Sequence, residues 1–155
     1  MGIPTKLKSH LEQAHVGYTP VSHVPTAGSQ YSAMVMHIPG KAVAKTVALR
    51  SGRENILAVL PASYHINFKK LSSITGQPVV LLDEDRCSRL FPDCDPGAVP
   101  PFGELYHMPI YLDQALAEDP EIIFSAGTHT DGVRMASADF VRLAKPRVCS
   151  FSEKP

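Results

Sequence analysis

Ala42-Val43-Ala44-Lys45-Thr46-Val47-Ala48-Leu49 and Asn55-Ile56-Leu57-Ala58-Val59-Leu60 are two apolar runs separated by Arg50-Ser51-Gly52-Arg53-Glu54. Branched apolar residues suit the pleated, half-buried surface of a strand. A short polar connector with a glycine suits a tight reversal, so the stretch predicts a β-hairpin. Alternation puts Lys45 on one strand face with Val43 and Val47, both apolar. A lysine on such a face snorkels to water, meets a carboxylate, or points into a ligand cavity, and the pattern leaves all three open. A cation there suits a phosphate or carboxylate, whereas a general-base role would need burial to depress its pKa strongly.

On the N-terminal side, Leu7, Leu11 and Ala14 recur at helical spacing across Thr5 to His15, with Gly17 as a stop, and Tyr18 to Val24 reads as a strand. Ser29 can cap a helix through His37, whose Tyr31, Ala33, Met34 and Met36 form a soft apolar surface ended by Pro39-Gly40; core packing is the ordinary role of such methionines. On the C-terminal side, Asn67 to Ile74 reads as a helix closed by Gly76, Val79 to Leu82 as a buried strand, and Asp83 to Leu90 as a helical turn. Met108 to Leu112 is an apolar stretch and Asp113 to Ala117 a short helix. Glu121 to Ser125 and Val133 to Met135 read as strands, before a helix capped by Ser137 and stopped by Pro146, with a frayed tail. Hairpin-like pairs among scattered helices predict a single mixed α/β (α+β) domain over residues 1–155, with a largely antiparallel or mixed sheet.

The 15 basic and 15 acidic residues cancel, so no global field advertises nucleic acid and no DNA partner is expected. Contact with phosphate would need a local patch, for which Lys6, Lys8, Arg50, Arg53, Lys69 and Lys70 are candidates against a default of solvated surface charge. Cys87, Cys94 and Cys149 are odd in number and lack paired C-x2-C spacing, which argues for free thiols in a reducing compartment and against structural zinc. No run approaches the roughly 18 apolar residues of a membrane span, so a soluble cytoplasmic protein is expected, with no membrane partner.

Pro96-Gly97-Ala98-Val99-Pro100-Pro101-Phe102-Gly103 lies in a stretch from Phe91 that holds too many prolines for a regular element. Pro100 and Pro101 fix their own φ and lack N–H groups, leaving the amides of Gly97, Ala98 and Val99 as donors for a carbonyl oxygen. Standing alone, such a loop reads by default as a surface turn. Downstream, Gly127-Thr128-His129 follows the apolar Ile122-Ile123-Phe124, so an imidazole stands at a strand end, as a site residue or as a hydrogen-bonded structural one. No H-x3-H pair, nucleophile elbow, Walker loop or dinucleotide fingerprint occurs, and no metal or cofactor is expected.

These segments, Gly40-Lys41 through Ala44-Lys45-Thr46-Val47, the Gly97–Gly103 loop, and Ala126-Gly127-Thr128-His129 followed by Val133-Arg134-Met135, occur in one order. Together they resemble the bacterial prolyl-tRNA-synthetase editing-domain superfamily, whose freestanding members are the YbaK-like deacylases. The resemblance runs from about Tyr18 to Lys145. It implies a mixed α/β domain with a curved, barrel-like sheet, acting in trans on mischarged tRNA without a metal. The implied partner is the acceptor end of aminoacyl-tRNA, with a synthetase or elongation factor as a candidate collaborator.

Carried over, the family's essential lysine falls on Lys45, its substrate loop on Gly97 through Pro101 and its strand-end histidine on His129. The resemblance implies that amides of Gly97, Ala98 and Val99 hold the ester carbonyl and that Lys45 anchors the terminal phosphate or ribose. His129 would hydrogen-bond the substrate or orient water. Tyr31, Met34, His37, Thr46, Pro100, Pro101, Phe102, Gly127 and Thr128 are the candidate substrate-binding residues. Alanine-type members tend to have asparagine where this chain has Thr46, and Ser32 to Lys41 looks closer to members acting on serine and threonine. A non-catalytic aminoacyl-tRNA or synthetase-associated binding module is the alternative; a thiol or metal hydrolase fails for want of spacing.

Overall fold

The computed structural model describes residues 5–22, 43–95, 97–128 and 130–154. Helix α1 (Thr5–Gln13) leads to β1 (Tyr18–Ser22), and the hairpin follows as β2 (Ala44–Ser51) and β3 (Glu54–Pro61). Its strands run further than the sequence pattern suggests: Ser51 pairs with Glu54, leaving Gly52-Arg53 alone as the turn. Then come β4 (His65–Ile66), α2 (Phe68–Thr75), β5 (Val79–Leu81), α3 (Glu84–Leu90) and a 3-10 turn at Gly103–Tyr106. The remainder is β6 (Ile110–Asp113), α4 (Gln114–Ala117), β7 (Glu121–Ser125), β8 (Asp131–Ala136), α5 (Ser137–Ala144), β9 (Arg147–Cys149) and β10 (Ser152–Glu153).

The strands form a five-stranded sheet in the order β5-β2-β3-β6-β9, a three-stranded sheet β1-β8-β7 and a two-stranded β10-β4 pair. Because β3–β6 and β6–β9 are parallel while the other pairs are antiparallel, the larger sheet is mixed, in line with the expected class. One parallel bridge, Val43 to Ile123, links the start of β2 to β7 in the other sheet. Leu7 and Leu11 of α1 and Phe140 of α5 pack on Ile122, Phe124, Val133 and Met135. Leu71 of α2 packs on Leu49, Ile56 and Leu60 with Phe151. Helix starts follow side-chain chemistry: the carboxamide or carboxylate oxygens of Asn67, Asp83 and Asp113 accept from the N–H groups of Lys70, Arg86 and Ala115 at 3.0, 2.8 and 3.1 Å.

Three sequence expectations need correction. The strand at Val79 is an edge, so Val80 and Leu81 are 56% and 62% exposed rather than buried. Ser137 does not cap α5, because β8 runs on to Ala136, which takes the cap position; the Ser137 N–H donates instead to the Pro120 carbonyl at 3.0 Å. The tail is not frayed. β9 adds to the edge of the large sheet, β10 pairs with β4, and Phe151 is fully buried between them.

Asp113 is the residue that ties this tail down. Its carboxylate accepts the N–H groups of Phe151 and Ser152 at 3.1 and 3.0 Å while its other oxygen caps α4, all at 3% exposure. Removing it strands buried donors, each costing about 1–3 kcal/mol. Asp113→Ala is expected to lose about 3 kcal/mol in urea unfolding and to expose the peptide bonds around Phe151 to protease; wild-type stability would show that the tail is not anchored here.

Candidate active site

The proline-rich segment has no ladder of its own and is held by its neighbours. Phe102 is fully buried, with its ring edge-on to His10, Phe124 and Phe140 at centroid distances of 5.6, 5.5 and 5.3 Å. Pro100 and Pro101 are buried beside it. Two backbone bonds then tie the segment to the end of β7: Gly127 N–H donates to Ala98 C=O at 2.8 Å, and Asp95 N–H donates to Gly127 C=O at 2.7 Å. Both glycines of this junction take the left-handed conformation, Gly97 at φ 78° and Gly127 at φ 95°, where a side chain would be strained.

One expected donor is spent. Ala98 N–H bonds the Asp95 carbonyl at 3.0 Å and is fully buried, so it is not available to a ligand. The N–H groups of Gly97 and Val99 have no acceptor among the described residues. Beyond β7 the chain turns tightly, with Ala126 N–H on Asp131 C=O at 2.9 Å. The Thr128 hydroxyl closes this turn: it donates to the Asp131 carboxylate and accepts the N–H groups of Asp131 and Thr130 at 2.9 and 3.3 Å. Thr128 is therefore occupied in shaping the turn. His129, carried by that turn, lies outside the described residues, as do Pro96, Tyr31, Met34 and His37.

The Val43–Ile123 bridge sets β2 alongside β7, so the lysine strand, the loop and the strand-end turn converge. A cavity of about 330 Å³ opens between β2, α3 and the loop, its wall including Thr46, Asp95, Gly97, Val99, Phe91 and Cys94 but not Pro100, Pro101, Phe102, Gly127 or Thr128. Lys45 is outside that lining. It pairs with Leu60, and its face carries Val47 and Leu49, packed with Leu60 and Leu71, whereas Thr46 faces the other way. The Lys45 ammonium is half-buried, and burial lowers its pKa from the ordinary lysine value. Among the described residues no carboxylate lies within ion-pair distance of it, which removes the structural ion pair from the alternatives there.

Sequence reasoning missed that Asp95, Cys87 and Cys94 share this wall. The signal for Asp95 was its place directly before Pro96-Gly97. The thiols are poor nucleophiles: burial pushes Cys94 up to about 11, and burial with Asp83 and Glu84 nearby pushes Cys87 up as well.

The family profile described as aminoacyl-tRNA editing domain matches residues 23–143. A curated relative from Escherichia coli K12, the multifunctional Ser/Thr-tRNA deacylase ProXp-y, is 31% identical over 100 residues. That alignment covers 63% of this chain and 59% of the relative, so the chain spans less than two-thirds of the relative's length. Among solved structures, the chain is similar to a candidate trans-editing enzyme for prolyl tRNA synthetase, with TM-score 0.82, 19% identity, and 96% and 95% of the two chains covered. It is similar also to the hypothetical protein APE2540, with TM-score 0.84, 15% identity, and 96% and 99% covered. At these identities the structural likenesses establish the fold alone.

A desolvated lysine with no ion-pair partner among the described residues costs stability while it is charged. Between its lowered folded pKa and the unfolded value, the unfolded chain binds more protons, so stability rises with pH through that window. Lys45→Met is therefore expected to melt about 1–4 °C above wild type at neutral pH, with the gap closing as the pH nears 10.5. A lower melting point for the variant would mean that Lys45 is a structural residue.

Proposed function

Because this chain belongs to the aminoacyl-tRNA editing domain family, we propose that it hydrolyses the ester of mischarged aminoacyl-tRNA in trans, acting on small amino acids with serine and threonine favoured. The observation that carries the reading is the cavity lined by Thr46 together with Gly97 and Val99, whose N–H groups have no acceptor among the described residues. An aminoacyl ester is already reactive, so positioning, a water and donors for the developing charge are sufficient, and no protein nucleophile or metal is required. Water attacks the carbonyl carbon, and the Gly97 and Val99 amides receive the negative oxygen. The ribose oxygen then leaves with a proton, freeing the amino acid and the tRNA. Each such donor is worth on the order of 10²–10³ in rate.

Lys45, at the start of β2 and on the strand face opposite Thr46, is assigned to holding the terminal phosphate or ribose rather than the ester itself. The vicinal ribose hydroxyl and His129 are assigned to orienting water. Serine, threonine and alanine are all accepted in this reading, because a missing hydroxyl or methyl changes binding only modestly in a partly apolar site.

The rest of the RNA has a supporting surface. A groove of about 440 Å³ is lined by Asn67, Lys69, Lys70, Ser73, Ile74 and Ser150, and the Asn67 carboxamide in it donates to the Glu153 carboxylate at 2.7 Å. Lys69 and Lys70 sit in the first turn of α2, which carries no acid, so they add to the positive helix end instead of offsetting it. Helix α2 covers the sheet face that Lys45 shares, through Leu71 and Leu60.

The test is a panel of Ser-, Thr-, Ala-, Cys- and Pro-charged tRNAs followed for ester loss. Release of serine and threonine, with Lys45→Ala slower by on the order of 10², is the expected result; no release from any member would favour the binding module. In the same assay, Lys69→Glu with Lys70→Glu is expected to raise KM with kcat retained, and to lower the slope of log(kcat/KM) against log[salt] by about 1–2. An unchanged slope would place the RNA elsewhere.

A further inference from the structure

The substrate of such a site carries a group not yet accommodated: the α-ammonium, attached to the carbon next to the ester carbonyl. A carboxylate receiving it must lie within about 3 Å of that nitrogen, and therefore only about 5 Å from the carbonyl carbon that the loop amides would hold. Asp95 is the acid of the wall that adjoins the loop amides along the chain. It stands two residues before Gly97, and both line the same cavity. Its main chain is fixed from both sides, N–H on Gly127 C=O at 2.7 Å and C=O accepting Ala98 N–H at 3.0 Å, so its side chain leaves a rigid base. Among the described residues its carboxylate makes no ion pair and no side-chain hydrogen bond, although the residue is half-buried.

The second acid of the wall, Glu84, is differently placed. It is exposed in the first turn of α3, where its charge complements the helix end. The rest of the wall includes apolar Leu82, Phe91 and Val99 and the thiol of Cys94, which stays neutral at pH 7. In such surroundings an ammonium–carboxylate pair is stronger than in water.

We propose that the Asp95 carboxylate binds the α-ammonium of the aminoacyl group and makes the site selective for a free amine over an N-blocked one. This rests on the deacylase reading above and extends it. An N-acylated aminoacyl ester presents a neutral amide and leaves the half-buried Asp95 without its cation, a mismatch worth on the order of 10²-fold.

The experiment compares seryl-tRNA with N-acetyl-seryl-tRNA in turnover, and non-hydrolysable 3′-seryl-amido-adenosine with its N-acetyl form in calorimetric binding. Wild type is expected to prefer the free amine by on the order of 10²-fold in both readouts. Asp95→Asn is expected to collapse that ratio to within a few-fold, and Glu84→Gln to keep it. Equal handling of the two forms by wild type, or a ratio that survives Asp95→Asn, overturns the assignment. Binding that discriminates without turnover of either ester would sustain Asp95 and overturn the deacylase reading. Turnover without discrimination would do the reverse. The wild-type comparison needs no variant and stands even if Asp95→Asn fails to fold.

Discussion

Phe102 is buried where α1, β7 and α5 meet, and this one ring converts a proline-rich segment without strand or helix of its own into a fixed wall. Proline stiffness alone would not locate the loop, since Pro100 and Pro101 restrict its shape without tying it to anything. The aromatic contacts anchor one side, and the reciprocal backbone bonds of Asp95 and Ala98 with Gly127 anchor the other. Between those anchors the amides of Gly97, which is exposed, and Val99, which is buried, are held without acceptors among the described residues.

Several features of the molecule run against stability. A lysine is desolvated on β2, two glycines at the loop junction occupy left-handed backbone, and a half-buried aspartate lacks a cation among the described residues. Strain and unpaired polarity of this kind are a usual signature of a binding or catalytic site, supported by well-packed surroundings. Here that support is the aromatic core under the loop and the β2–β3 hairpin, which joins the five-stranded sheet to β7 through Val43.

Much of this was legible in the sequence because it depends on local signals. The hairpin followed from two branched apolar runs, the start of α2 from Asn67, and the end of α2 from Gly76. What was not legible depends on partners distant in sequence. Ser137 looks like a cap until the strand before it runs on to Ala136. The tail looks frayed until Asp113, far upstream, captures Phe151 and Ser152. At the site, three segments could be ordered along the chain, yet only coordinates show that Ala98 is already bonded, that Thr46 rather than Lys45 lines the cavity, and that Asp95 joins it.

The central claim is that the Gly97 and Val99 amides receive the substrate carbonyl, and it can be read at those two protons. Backbone NMR of the protein titrated with non-hydrolysable 3′-seryl-amido-adenosine should shift both amide protons downfield and slow their exchange, with Ala98, already bonded within the loop, changing little. Unshifted Gly97 and Val99 resonances in a saturated complex would contradict the account.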